Sequence, residues 1–151
     1  SVSAHPIYNW NVGLSYGYTY AEFLDYKQSD NINYNHNMIP MVPRNTFGMN
    51  SDYTLYPQCN VIDRITFSAG LDGTGKIYWD ESNSLNQKFY LLLNAKVIVS
   101  SGKFNWEIWG KNLTDTNYNT FAVDNAATGK REYFAQRGNP FQCGVDLSFR
   151  F

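Results

Sequence analysis

The chain has 151 residues, a formal net charge of −1 at pH 7 and a mean hydropathy of −0.45. This near-neutral charge gives no indication of the basic surface by which proteins bind nucleic acid. No stretch approaches the roughly 18 consecutive apolar residues of a membrane-spanning helix. Aromatic residues make up 17% of the chain. A high aromatic content with a low mean hydropathy is compatible with a β-sheet in which every second residue is apolar.

The first periodic segment runs from Trp10 to Ala21. Apolar and aromatic residues occupy its even positions, and small or polar residues occupy its odd positions. A period of two predicts a strand with one apolar face and one polar face. The next segment, roughly residues 25–44, is polar, rich in asparagine and closed by Pro40 and Pro43. We expect it to form a loop.

Three strands with turns between them are predicted in the middle of the chain. Residues 46–55 and 64–72 alternate clearly between apolar and polar residues. The pattern leaves open whether the second of these strands continues to Trp79. A polar turn over residues 81–87 leads to a more continuously apolar strand, residues 88–100. There Asn94 and Lys96 indicate the polar face, although Tyr90, Leu92 and Ile98 share their phase.

The C-terminal third contains a tight turn at residues 101–103 and an alternating strand from Phe104 to Lys111, with Trp109 on its polar side. A turn at 114–117, a short strand at 118–123 and a loop at 124–131 follow. The last strand, residues 141–151, has six apolar residues at its odd positions and none at its even positions. The pattern predicts an all-β fold, an antiparallel up-and-down meander of about seven strands that forms part of a transmembrane β-barrel.

Aromatic residues concentrate near the ends of these strands, as in the two girdles of an outer-membrane barrel. If the hairpins alternate up and down, one rim is expected to hold Phe23, Phe47, Tyr78, Trp79, Phe89, Tyr118 and Phe151. The other rim is expected to hold Tyr8, Trp10, Tyr53, Tyr56 and Phe104.

The end of the chain resembles the C-terminal assembly signal of outer-membrane proteins. That signal has a polar residue, a glycine two positions later, alternating hydrophobic residues and a terminal aromatic residue. The matching residues here are Gln142, Gly144, Leu147, Phe149 and Phe151. The resemblance implies that the barrel-assembly machinery reads this strand, and that the strand seals against the first strand of the barrel.

Three further segments resemble TonB-dependent outer-membrane receptors. The motif Asn112, Leu113 and Asp115, followed by Tyr118, is similar to an Asn-Leu-x-Asp turn that we expect at the periplasmic end, before the last hairpin. Asn112 and Asp115 can both hydrogen-bond nearby backbone groups and hold a tight turn. Residues 42–46 resemble a segment that starts an upward strand, although His is common where Asn45 stands. Residues 136–140 resemble the lead-in to the last strand.

This resemblance implies a 22-stranded barrel with an N-terminal plug, located in the cell outer membrane of a Gram-negative bacterium. Such receptors import scarce nutrients, for example ferric siderophores, with energy supplied through TonB. Residues 1–151 would then be a single C-terminal segment, and the plug and the earlier strands would lie outside it. The implied partners are outer-membrane lipid, the barrel-assembly machinery, the plug domain and, through the plug, TonB. The substrate stays unassigned.

Charged residues on the predicted polar faces are expected to line the barrel lumen, in contact with plug or water rather than with substrate. They are Asp52, Arg64, Asp72, Lys96, Glu107, Lys111, Asp146 and Arg150. No catalytic group is predicted, because the carboxylates are scattered rather than paired. No metal site or cofactor is predicted either, because His5 and His36 lack companion ligands. We interpret Cys59 and Cys143 as unpaired.

Two other classes of protein fit parts of the pattern. A soluble lipocalin-like carrier barrel has a similar size, but it turns its apolar residues inward. A complete small outer-membrane barrel, acting as an anchor or adhesin, would need one more strand, which residues 25–39 could supply.

Overall fold

A computed structural model describes residues 1–124 and 132–151. The loop predicted at 124–131 lies almost wholly outside the described residues. In chain order the strands are β1 (Val2–Ile7), β2 (Trp10–Tyr18), β3 (Lys27–Ser29), β4 (Ile32–Asn33), β5 (Asn45–Leu55), β6 (Arg64–Thr74), β7 (Ile77–Tyr78), β8 (Asn86–Gln87), β9 (Tyr90–Ser101), β10 (Phe104–Lys111), β11 (Asn119–Asp124), β12 (Tyr133–Arg137) and β13 (Gln142–Phe149). Among the described residues, no helix is long and apolar enough to cross a membrane.

Seven strands form one antiparallel sheet in the order β1-β2-β5-β6-β9-β10-β13. Each strand pairs with its neighbours in the sheet, so the wall is a continuous meander. This confirms the predicted all-β fold and the strand count. One member of the predicted set is nevertheless wrong: the segment 118–123 pairs with β12 in a separate hairpin, and β1 takes the seventh place in the sheet.

The two ends of the sheet differ in the length of their connections. Residues 8–9, 56–63 and 102–103 join strands at one end, which we call the short-turn end. Residues 19–44, 75–89 and 112–141 join strands at the other, the long-connection end, and each contains a small hairpin of its own. Strand β13 runs towards the short-turn end, where the Arg150 amide donates to the Lys103 carbonyl at 2.9 Å.

One expectation about the ends of strands is corrected by this topology. Phe151 belongs to the rim at the short-turn end, because Phe149 packs against Phe104 with ring centroids 4.9 Å apart and Phe151 meets Phe149 edge-on at 5.4 Å. Strand β5, which begins just after Arg44, runs from the long-connection end to the short-turn end, as β13 does.

Residues of like polarity pair across much of the sheet. On one face Leu14 pairs with Met49, which pairs in turn with Leu71. Ile108 and Val145 pair on the same face at the far edge. The opposite face carries the polar positions. The pairing of β9 decides which of its residues lie on that face: they are Asn94, Lys96, Leu92 and Ile98.

The sheet has no hydrophobic core of its own. The buried apolar residues of the described chain are Ile77 and Ala122, and both lie in long connections. The apolar face stays open instead: Val145 is 64% exposed and Leu147 is 55% exposed. A contiguous apolar surface of this extent needs an apolar medium or a partner to cover it.

The open apolar face yields a prediction for Val145→Arg in the full-length protein. Val145 lies in the middle of β13, so a charge there should destabilise the membrane-inserted state by about 2–4 kcal/mol. Ser148→Arg is the matched control, because Ser148 lies on the polar face of the same strand, and its cost should be close to zero. Reversible unfolding from lipid bilayers measures both variants, and equal costs would show that the faces are assigned wrongly.

Candidate functional site

The polar face of the sheet carries a connected set of charged and polar side chains. Lys96 on β9 and Glu107 on β10 form an ion pair at 3.6 Å. The indole Nε1 of Trp109 donates to Asp146 at 2.6 Å, and the Lys111 ammonium lies 5.3 Å from the centre of the Trp109 ring. These contacts join β9, β10 and β13 across the face. Both members of the Lys96–Glu107 pair are partly exposed, so the pair contributes about 0–1 kcal/mol.

An open pocket of about 610 Å³ lies over this face. Five of the eight residues predicted to line a lumen also line this pocket: Asp52, Lys96, Glu107, Lys111 and Asp146. The pocket brings cations and carboxylates together, so it forms a polar, wettable surface.

The other three predicted lumen residues lie outside the pocket. Asp72 accepts a hydrogen bond from Asn94, which itself lines the pocket, at 3.1 Å. The Arg64 Nε donates to the hydroxyl of Ser100 at 3.2 Å, near the short-turn end. Arg150 follows the end of β13, at the same end of the sheet. The structure therefore places Asp72 beside the pocket and the two arginines away from it.

Sequence analysis missed the uncharged residues of the pocket. Trp109 was placed on the polar side but not in a site, although its indole links Asp146 to Lys111. Asn50 and Asn94 also line the pocket. An aromatic residue at a polar position of an alternating strand was the signal available for Trp109, because a buried indole N–H usually finds a partner.

Gly144 of the predicted assembly signal lies directly beneath Trp109. A Cβ atom built on Gly144 would stand 2.5 Å from Cζ2 and 2.7 Å from Cε2 of the indole. Only a residue without a side chain permits this contact. The other residues of the signal divide between the two faces, with Gln142 on the polar face opposite Lys111 and with Leu147, Phe149 and Phe151 in the apolar set.

The Asn-Leu-x-Asp turn lies at the long-connection end of the sheet, between β10 and the start of β13. The end of β13 and the short turns lie at the opposite end of the sheet. Tyr118 and Phe151, which were expected on one rim, therefore lie at opposite ends of the sheet. The physical reason is that one strand, β13, separates the turn from the chain terminus, and a strand carries the chain from one end of the sheet to the other.

Asn112 is the centre of that turn and is only 4% exposed. Its side-chain nitrogen donates to the carbonyls of Thr116 and Asn139, both at 3.0 Å, and its oxygen accepts from the Thr116 amide at 2.8 Å. Asp115 accepts a bond from the Phe141 amide at 2.9 Å. Asn112 and Asp115 both have positive φ, of 48° and 49°, a conformation that Asn and Asp tolerate better than most residues.

Two close contacts complete the turn. Leu113 packs over Gly110, where an added Cβ would stand 2.5 Å from the leucine Cδ2. The ring of Tyr118 covers Gly138 and stacks on Tyr90, with ring centroids 4.5 Å apart. The motif residues therefore contact β9, β10 and the segment that leads into β13.

The long connections are held together by side chains that bond to backbone. Asn83, with a φ of 58°, accepts from the Met38 amide at 2.7 Å and donates to the Met38 carbonyl at 2.9 Å. This pair of bonds joins residues 19–44 to residues 75–89. The rings of Trp79 and Phe121 meet at 6.3 Å, and this contact joins residues 75–89 to residues 112–141.

Asp80 organises the tip of residues 75–89. Its carboxylate accepts bonds from the Leu85 amide at 2.8 Å and from the Ser84 amide and hydroxyl at 3.1 and 2.8 Å, and it also bonds to Ser82. Burial raises the pKa of this carboxyl, but these hydrogen bonds stabilise the charged form and together hold its pKa below the ordinary value.

The described residues contain neither a disulfide bond nor a group of side chains that could hold a metal ion. Cys59 and Cys143 are free thiols, and both are exposed. Within residues 1–124 and 132–151, no three His, Cys, Asp or Glu side chains come together as a metal-binding group. His36 lies 3.6 Å from Glu22, and His5 bonds to Asn11.

A meandering sheet with one exposed apolar face and one charged face has the two surfaces that the wall of a transmembrane β-barrel requires. Three solved structures share this fold. The first is the ferric yersiniabactin uptake receptor FyuA from Yersinia pestis, with a TM-score of 0.84 and 20% identity over 99% of this chain and 22% of that chain. The second is the siderophore receptor PiuA from Acinetobacter baumannii, with a TM-score of 0.74 and 19% identity over 97% of this chain and 20% of that chain.

The third is BauA, the ferric preacinetobactin receptor from Acinetobacter baumannii, with a TM-score of 0.75 and 17% identity over 97% of this chain and 20% of that chain. The chain thus spans about a fifth of the length of each receptor that it matches. No protein-family model matches the sequence. The comparisons confirm the fold, an antiparallel all-β meander that matches part of the barrel of each of these structures.

Replacing Gly144 tests the contact between this glycine and Trp109. Gly144→Ala should push the indole aside and weaken its bond to Asp146, at a cost of about 1–3 kcal/mol. The same alanine should cost much less in a Trp109→Ala background, where nothing stands above position 144. A double-mutant cycle of unfolding in detergent measures the coupling, and additive effects would contradict the contact.

The Asp80 hydrogen bonds predict a dependence on acid. Because the folded pKa is depressed, the stabilisation is complete above the ordinary pKa of 3.8 and is lost as the pH falls through the lower folded value. Amide exchange at Leu85 should therefore accelerate as the pH falls below about 4, after correction for the intrinsic rate. In Asp80→Ala the amide should be fast at every pH, and an unchanged pH profile in that variant would contradict the assignment.

Proposed function

We propose that this chain is the C-terminal barrel wall of an outer-membrane, TonB-dependent active transporter that imports a scarce nutrient such as a ferric siderophore. The observation that carries the proposal is the seven-stranded sheet with an exposed apolar face and a charged opposite face. The structural likeness to three siderophore receptors supports it. Asn112, Asp115 and Gly144 belong to the segments whose sequence resembles such proteins, and each makes a defined contact in this structure.

In this proposal residues 1–151 form a single segment of a larger barrel, whose plug and earlier strands lie elsewhere in the parent protein. The short-turn end faces the periplasm and the long-connection end faces the outside, following the usual distribution of connection lengths in these barrels. The apolar face meets outer-membrane lipid. The polar face, with Lys96, Glu107 and Asp146, faces the plug or water in the lumen.

The proposed partners follow from the same orientation. The plug domain would contact the polar face and would pass force from TonB. The barrel-assembly machinery would read β13, whose outer edge is unpaired within the described residues. Transport needs no covalent chemistry by the wall itself.

The two alternative classes fit the structure less well. A lipocalin-like carrier closes its strands around an apolar interior, whereas this sheet is open and presents Val145 and Leu147 to the outside. A complete small barrel of bacterial type needs an even number of strands. The stretch that could have supplied the eighth, residues 25–39, forms the small β3-β4 hairpin of a long connection instead.

Uptake of labelled iron tests the proposed transport. Cells that express the full-length protein should accumulate radioactive iron from one member of a panel of ferric siderophores, and only when TonB is intact. Matched strains with and without TonB, at equal surface levels of the receptor, provide the comparison. Uptake that does not depend on TonB would refute the mechanism. TonB-dependent uptake of haem or cobalamin alone would keep the transporter and replace the substrate.

A further inference from the structure

The pairing of the last strand raises a problem of register. Strands β10 and β13 pair from Phe104 with Phe149 to Lys111 with Gln142. In a short hairpin the turn fixes which residues pair. Here residues 112–141 connect the two strands, and a connection of that length leaves the register free. Another part of the molecule must therefore specify it.

The apolar pattern of β13 cannot do this alone. A shift by one residue would carry Val145 and Leu147 to the polar face and is strongly disfavoured. A shift by two residues keeps every side chain on its own face, because the alternation continues from Phe141 to Phe151 without interruption. Registers that differ by two residues are therefore nearly equivalent in hydrophobic terms.

The turn at Asn112 distinguishes these registers through the backbone. The Asn112 side chain donates to the carbonyl of Asn139, and the Asp115 carboxylate accepts from the amide of Phe141. The Gly138 amide donates to the carbonyl of Tyr118 at 2.9 Å. All three bonds reach residues 138–141, directly before β13 begins at Gln142. Backbone groups stand at fixed intervals, so holding these residues fixes where the strand begins.

The turn is itself anchored to the preceding strands. The Asn112 amide donates to the side-chain oxygen of Asn94 at 3.0 Å, and the Leu113 amide donates to the carbonyl of Leu93 at 2.8 Å. Both acceptors lie on β9, which pairs with β10. The turn is thus held to β9 by bonds that do not involve β13.

We propose that Asn112 and Asp115 form a register pin for the C-terminal strand. They hold residues 139 and 141 by their backbone groups and so select one pairing of β13 with β10 among registers that the apolar pattern allows equally. Gly144 supports the same choice, because a shift by two residues would bring Gln142 or Asp146, each with a side chain, beneath Trp109. These are positioning residues for assembly, and the transported substrate does not enter the proposal.

Disulfide trapping in the full-length protein tests the pin directly. In a background without Cys59 and Cys143, Ser148→Cys is combined with Asn105→Cys to report the observed register. Combined with Glu107→Cys or Lys103→Cys, it reports shifts by two residues. Cross-links form only when the Cα atoms lie within about 7 Å. The protein is refolded in detergent, so that cellular quality control does not remove shifted forms.

Asn112→Ala with Asp115→Ala should lower the ratio of native to shifted cross-links about tenfold, as expected for the loss of two ordinary hydrogen bonds. Asp115→Asn keeps a carbonyl oxygen for the Phe141 amide and should retain the native ratio. Thr114→Ala is the matched control, because its hydroxyl bonds to Thr116 and not to the last strand. If the folded double variant keeps the native ratio of cross-links, the proposal is overturned.

If the double variant does not fold, the single Asp115→Ala variant decides the question. The pin requires its ratio to fall below that of Asp115→Asn, and equal ratios in the two variants would also overturn the proposal. Failure of the proposed transport leaves this readout unchanged, because cross-linking reports the pairing of β10 and β13 whatever the barrel carries.

Discussion

Backbone hydrogen bonding between neighbouring strands is the constraint on which the rest of this structure depends. In the sheet each interior strand satisfies its peptide groups through its two neighbours, and the side chains must then alternate between two faces. A single layer of this kind encloses no core, and Ile77 and Ala122, the buried apolar residues of the described chain, lie outside it. The wall therefore depends on what covers each face: an apolar medium on one side, and water or protein on the other.

That constraint explains why the sequence predicted so much of the wall. Alternation can be read locally, and it assigned the faces of β2 and β13 correctly, together with the polar position of Trp109. It did not identify β1, whose six residues include His5 and Pro6. Proline cannot donate to a ladder and is tolerated in an edge strand, and β1 lies at the edge. Its sequence therefore lacks the signal that marks central strands.

Period two identifies a strand but not its partner, and one error of this kind caused another. The segment 118–123 was counted as a wall strand, whereas it pairs with β12 in a separate hairpin. One extra strand adds one reversal of the chain. That reversal placed Phe151 on the same rim as Tyr118, whereas the structure puts Phe151 beside Phe149 at the other end of the sheet. The face of each charged residue survived the error, because facing depends on local parity and not on the number of strands.

The long connections are held together by a different kind of contact from the strand pairing of the wall. These segments lie beyond the sheet, so neither an apolar medium nor a ladder of long strands supports them. They bury Ile77 and Ala122 instead, and they use side chains in place of strand partners: Asn83 bonds both backbone groups of Met38, and Asp80 gathers the amides of Ser84 and Leu85. Such bonds depend on single residues at single positions, so a periodic sequence pattern does not predict them. Alternation therefore predicts the part of the molecule that repeats. Asn83 in the connections and Asn112 before the last strand fix how the repeating parts are joined. Their roles can be recognised only from the structure, which shows the backbone groups that they bind.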